Sequence, residues 1–165
     1  MGNLIMTQSL TKSAQSVQNV LNQKGLTCRV VELPASTRTA QEAAAAIGCD
    51  IEQIVKSLIF KTKDSHKPVL ILASGPTRVN EKTIESYVGE KIVKADADFT
   101  REITGFAIGG IPPVGHRQNI DLIYIDEGLL NFAEVWAAAG TPNAVFNLQS
   151  KDLLEITGGK KVSIT

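Results

Sequence analysis

Apolar residues recur along this chain with two rhythms, one near the helical period and one of period two, and each predicts its own elements. Leu10, Ala14, Val17 and Leu21 share a helical face ahead of Gly25, which predicts an amphipathic first helix capped by Ser9. Residues 28–33 read as a short strand ended by Pro34. Thr39-Ala40-Gln41-Glu42 fits a capping box for a helix that runs to Ile47 and stops at Gly48. Residues 54–63 read as a strand, and residues 68–74 as its hairpin partner across a turn of Lys63, Asp64, Ser65 and His66. The partner is almost continuously apolar, which predicts burial on both faces. Asn80 caps a helix predicted to end near Val88, before Gly89, and Asp96 or Asp98 starts another that ends at Gly105. Strands follow at 120–125, 132–138 and 144–148, the last two paired around Gly140-Thr141-Pro142. Ser150 is expected to cap a final helix stopping at Gly158, with an edge strand at 162–164. This irregular mixture with two hairpins predicts a single α+β domain on a mixed, mostly antiparallel sheet with flanking helices.

The 165 residues suit one domain, read as residues 9–165 behind a loose extension at 1–8. Lys and Arg balance Asp and Glu at 17 each, which excludes adhesion to nucleic acid by bulk charge but leaves room for a local basic patch. Cys28 and Cys49 lack metal-ligand spacing and read as small core hydrophobes in a reducing compartment. No apolar run is long enough to span a membrane, and the first residues lack the pattern of a signal peptide. A cytoplasmic protein with no membrane or DNA partner is expected.

Candidate chemistry concentrates at two places. In the segment 105–116, Gly105, Gly109, Gly110 and Gly115 stand with Pro112 and Pro113 among apolar Phe106, Ile108, Ile111 and Val114. Such a stretch forms neither a regular helix nor a central strand. It is either a tight bend at a sheet edge or a stiff loop that brings bare main chain close to a ligand. The second place is Lys56, which alternation sets on one strand face with Ile54, Leu58 and Phe60. An ammonium in that apolar row either snorkels to solvent or meets a partner in a pocket. His116, at the end of the glycine-proline stretch, is either a satisfied surface histidine or a group for phosphate, ribose or proton transfer. Dinucleotide-binding, P-loop and nucleophile-elbow motifs all fail, and no metal cluster is visible. Asp121 and Asp126 flank a strand at a spacing common on solvated surfaces. Lys61, Lys63, Lys67, Arg78 and Lys82 form either a shallow path for a polyanion or a solvated rim.

Lys56 within Ile54-Val55-Lys56-Ser57-Leu58-Ile59-Phe60, followed by Gly109-Gly110-Ile111-Pro112-Pro113, resembles the YbaK/prolyl-tRNA-synthetase-associated domain family. The stretches from Ala95-Asp96 to Thr104, Gly140 to Phe146 and Leu153 to Gly158 extend the resemblance over nearly the whole chain. It implies a free-standing aminoacyl-tRNA deacylase, similar to the editing insertion of bacterial prolyl-tRNA synthetase. The family's lysine falls on Lys56 and is implied to contact the terminal nucleotide. Its G-x-x-x-P motif falls on Gly109 to Pro113, whose backbone is implied to hold the aminoacyl group and the attacking water. Many relatives carry His where this chain has Asn143, so Asn143 is assigned to pocket shape or to recognition of the substrate amine.

The expected activity is therefore trans-editing hydrolysis of the ester of mischarged tRNA, most of all tRNA-Pro, at its acceptor end. Lys56, Gly109 and Gly110 are the catalytic candidates. Phe60, Ile108, Ile111, Pro112, Pro113, His116, Asn143 and Val145 are the substrate-binding ones. No cofactor or metal is expected, and prolyl-tRNA synthetase is a candidate partner. The other reading is a non-catalytic aminoacyl- or nucleotide-binding module that associates with a synthetase. A hydrolase of another small ester or amide is a third.

Overall fold

Val69-Leu70-Ile71-Leu72-Ala73 is wholly shut off from solvent, because apolar clusters lie on both faces of its strand. The computed structural model describes residues 9–165. Their helices are α1 (Lys12–Gln23), α2 (Ala40–Ile47), α3 (Glu81–Val88), α4 (Ala97–Thr104) and α5 (Ser150–Thr157). Their strands are β1 (Val30–Glu32), β2 (Ile54–Thr62), β3 (Pro68–Ser74), β4 (Ile92–Lys94), β5 (Leu122–Asp126), β6 (Glu134–Ala138), β7 (Ala144–Gln149) and β8 (Lys160–Val162). Short 3-10 turns at Ile51–Gln53 and Glu127–Asn131 complete the described elements. The sheet order is β1-β7-β6-β2-β3-β5-β8, with β4 added against β2.

The predicted α+β domain on a mixed sheet is present. Antiparallel pairings join β1–β7, β2–β3, β2–β4 and β6–β7, and parallel ones join β2–β6, β3–β5 and β5–β8. One core packs Ala14, Val17 and Leu21 of α1 against Val55, Ile59, Leu70, Leu72 and Phe146. The second packs Phe60, Val69, Ile71 and Ala73 with Ile84 of α3, Ile92, Tyr124 and Ile164. The capping box Thr39/Glu42 and the Asn80 cap form as predicted, and Asp96 rather than Asp98 caps α4.

Several expectations are corrected. Thr11, not Ser9, caps α1, its side chain accepting from the Ala14 N–H. Ser150 does not cap α5. Its hydroxyl donates to the Phe132 carbonyl and ties the helix start to the turn ahead of β6. The last strand lies at Lys160–Val162, because Ile164 tucks into the second core instead of pairing. The first strand is confined to Val30–Glu32 by its register against β7. Asp126 is not surface decoration. It is 5% exposed and accepts from the Ser74 and Gly128 N–H groups. Cys28 packs against the first core, whereas Cys49 stays half-buried just past α2. The proposed extension at 1–8 lies outside the described residues.

The edge of β2 opposite β3 is interrupted. It pairs with β6 only at Ile54 and Val55, and with β4 only from Phe60 to Thr62. The Ala95 N–H closes on the Ile59 carbonyl, so the edge is open along Lys56, Ser57 and Leu58. These three are also the half-buried residues in the middle of the strand.

Candidate active site

The open edge of β2 leads into a cleft of about 740 Å³, in the range that holds small organic ligands. Three elements meet there. Lys56, Ser57 and Leu58 line it from β2, and the start of α2 with Arg38 and the glycine-proline loop with Ile108, Gly109 and Ile111 line it from two segments that touch where Arg38 meets Gly109. Trp136 and Ala137 of β6, Val145 of β7 and Arg78 complete the walls. The residues lining it include three cations and no carboxylate, imidazole or thiol.

Lys56 points to a partner, because its Nζ donates to the Thr77 carbonyl at 2.7 Å. The turn after β3 supplies that carbonyl and brings Arg78 alongside. Partial burial pulls the lysine below its ordinary range, the buried Asp126 carboxylate pushes it back up, and Arg78 lowers it further. The ammonium is therefore poised, partly desolvated, in the lining of the cleft, where a phosphate or ester oxygen is a better partner than water.

The glycine-proline loop is built against a second ribbon. The Gly140 N–H donates to the Gly110 carbonyl at 2.8 Å, and a Cβ on Gly110 would lie 2.9 Å from the Thr141 carbonyl carbon. Gly109 holds φ +98, and Arg38 lies over it with Cγ 2.8 Å from where a Cβ would be. Only glycine meets both conditions cheaply. The N–H groups of Gly109 and Ile111 have no hydrogen-bond partner among the described residues and belong to residues lining the cleft. The same ribbon holds the Arg38 loop, since the Thr37 hydroxyl donates to the Pro142 carbonyl at 2.9 Å.

The sequence-predicted residues divide. Lys56, Gly109, Ile108, Ile111 and Val145 meet in the cleft, with Ile108 57% exposed at its rim. Gly110 supports the loop from behind. Pro112 and Pro113 are buried away from the cleft, and Pro113 lines a separate cavity. Phe60 does not line the cleft. β4 seals the sheet from Phe60 onward and buries the ring in the second core. Asn143 does not offer its amide to the cleft. Its Nδ2 donates to the Leu33 carbonyl at 2.9 Å and its Oδ1 accepts from the Thr141 hydroxyl at 3.0 Å, so it braces the ribbon. Of the basic cluster, Arg78 reaches the cleft. Lys63 lies about 23 Å beyond Lys56 at roughly 3.3 Å per strand residue, and Lys61 sits over the Phe99 ring. Arg38 and Trp136 are site residues that the sequence reading missed. The one signal available was that Trp136 is the sole tryptophan of the chain.

His116 also lies outside the cleft, in the separate cavity with Pro113. Its Nε2 is 2.7 Å from the Pro112 carbonyl, a bond in which the ring donates. Burial holds its pKa below the ordinary histidine value, with the Pro112 bond working in the opposite direction. The folded protein thus binds this proton less tightly than the unfolded chain does. The contribution to stability is present above the ordinary histidine range and is lost as pH falls through the lowered value. We expect the melting temperature to drop between about pH 7 and about pH 5, and His116→Gln to remove part of that drop. Thermal melts of both proteins across the range check it, and identical pH profiles would count against this role.

A cleft with a cationic rim and unpaired main-chain donors suits a ligand carrying both phosphate and acyl oxygens. Comparison with known proteins gives the class: residues 34–156 match the aminoacyl-tRNA editing domain family, and the chain belongs to it. It is 46% identical, with a TM-score of 0.89, to a solved structure provisionally described as a trans-editing enzyme for prolyl tRNA synthetase, covering 95% of this chain and 99% of that one. It is 30% identical over 148 residues to the uncharacterised protein YwhH of Bacillus subtilis, covering 90% of this chain and 93% of that protein. It is also 32% identical over 101 residues to the proline–tRNA ligase of Limosilactobacillus fermentum, covering 58% of this chain but 18% of the ligase. Family and fold together support a role in tRNA editing.

Proposed function

We propose that this protein is a trans-acting deacylase that hydrolyses the ester of mischarged tRNA-Pro. The observation that carries the proposal is the meeting of Lys56 and the Gly109–Ile111 backbone in one cleft. The similarity to a proline–tRNA ligase and to a structure provisionally described as a trans-editing enzyme for prolyl tRNA synthetase supports the choice of tRNA.

In this reading Lys56, with Arg38 and Arg78 near it, holds the phosphate and ribose of the terminal nucleotide. Trp136 offers an aromatic surface for the base. The acyl carbonyl faces the free N–H groups of the loop, which stabilise the oxyanion that develops when water attacks. The residues lining the cleft hold no base to activate a side-chain nucleophile, so direct attack by water is favoured over a covalent intermediate. The substrate's own neighbouring ribose hydroxyl relays the proton, receiving one from the attacking water as it gives its own to the leaving ribose oxygen. Water adds to the acyl carbon, the ester C–O bond breaks, and the ribose oxygen leaves protonated.

That same lack of a side-chain base is what favours the second reading, a binding module that holds an aminoacyl nucleotide without cleaving it. Single-turnover deacylation separates the two, using tRNA-Pro charged with Ala, Cys, Ser or 2-aminobutyrate. We expect release of at least one amino acid faster than its spontaneous loss. Trp136 fluorescence is expected to change on adding the uncharged tRNA. A fluorescence change with a flat release curve across the panel would favour the binder.

A further inference from the structure

Ser57 stands at the centre of the open edge of β2. Its neighbours fix the direction of its main chain. The Thr62 N–H bonds the Lys67 carbonyl on the β3 side, and the Ile59 carbonyl bonds Ala95 on the opposite side. Strand backbone groups alternate, so the N–H and C=O of Ser57 share the Ile59 side and face the gap between β6 and β4. β6 pairs only as far as Val55 and β4 only from Phe60, and no other described main-chain group bonds either the N–H or the C=O. The Ser57 hydroxyl oxygen is buried and likewise has no partner, the single such side-chain atom among the described residues. Ser57 therefore brings an unused main-chain donor and acceptor to the cleft, with an unpaired buried hydroxyl beside them.

Folded chains rarely leave such groups orphaned, and an orphan in a cleft points to a ligand that satisfies it. The pattern fits one chemical unit. A residue at a free strand edge pairs with an incoming segment that donates and accepts side by side, as in strand addition. An α-aminoacyl ester has that arrangement, with an ammonium that donates and an ester oxygen that accepts.

We propose that Ser57 reads the α-ammonium of the aminoacyl ester, through its carbonyl and hydroxyl oxygens, and so selects α-amino esters whatever their side chain. The inference rests on the deacylase reading and names a substrate-positioning residue within it.

The test compares alanyl-tRNA-Pro with lactyl-tRNA-Pro, in which a hydroxyl replaces the ammonium at nearly constant size. Each enzymatic rate is divided by the spontaneous hydrolysis of the same ester. Wild-type protein is expected to prefer the alanyl ester by about 100-fold, as for two hydrogen bonds to a charged group. Ser57→Ala is expected to lower alanyl turnover about tenfold and to shrink that preference by a similar factor. Ser57→Thr, which keeps the hydroxyl, is expected to retain the preference. Removing an unpaired buried hydroxyl is expected to leave the melting temperature of Ser57→Ala equal to or above that of wild type, whereas a structural serine would lower it. Wild-type activity with no difference between the two esters, or an unchanged preference in Ser57→Ala, overturns this assignment and leaves the deacylase reading intact. A wild-type protein inert on every mischarged tRNA overturns both.

Discussion

Lys56→Met is expected to lower the rate of deacylation by roughly 100-fold or more while the protein stays folded. A reacting group misplaced by about 1 Å costs on that order, and Lys56 is the cation that β2 itself sets in the cleft. The substitution keeps the length of the stem and removes the charge. In the folded protein that charge is held at a cost, since burial lowers the lysine's proton affinity. With a folded pKa below the unfolded one, the native state binds fewer protons at alkaline pH, and stability rises with pH through that window. The melting temperature of the variant at neutral pH should therefore equal or exceed that of wild type. Lys56→Arg should not rescue, because a planar fork cannot take the place of a point charge bonded to the Thr77 carbonyl. Single-turnover assays beside thermal melts give both readings. Retained activity in Lys56→Met would remove this residue from the mechanism. The same lowered affinity sets a pH limit: activity that needs the ammonium should fade at a pH below the usual lysine range, once the spontaneous rate is subtracted.

Gly110→Ala should also be severe, by a different route. The added methyl would meet the main chain of Thr141, not the far end of a side chain, so the loop must move as a body. Overpacking of this kind costs about 1–3 kcal/mol in stability. The displaced loop carries the free N–H groups of Gly109 and Ile111 away from the acyl oxygen, with a further loss of about 100-fold in rate. Ala introduced at exposed Gly25, where no atom lies within 4 Å, is the control for a helix-end glycine that only suffers its positive φ. A Gly110→Ala protein with wild-type turnover would mean that the ribbon contact does not position the loop.

Lys56 was legible in the sequence because alternation exposed a cation among Ile54 and Leu58, and strand alternation is local. The loop was legible because glycine and proline constrain the backbone wherever they stand. Phe60 was misplaced because the strand that seals it, Ile92–Lys94, is too short to leave a periodic signature. Arg38, Trp136 and Ser57 were missed for a related reason. Trp136 and the gap at Ser57 depend on β6 joining β2 through just Ile54 and Val55, and Arg38 on the Thr37 bond to Pro142, contacts between distant segments that no local pattern announces. Asn143 was read as a substrate contact because nothing near it in sequence shows that the Leu33 carbonyl takes up its amide.

The ribbon at Gly140–Asn143 is a common mount. It carries the Gly110 loop through one hydrogen bond, the Arg38 loop through Thr37, and the end of the first strand through Asn143. The Arg38 loop and the glycine-proline loop, which meet at Gly109, are thus bolted to one frame and cannot swing apart independently. A substrate entering such a preformed mould loses its own freedom but need not order the protein around it, so capture should be quick and nearly free of a conformational lag.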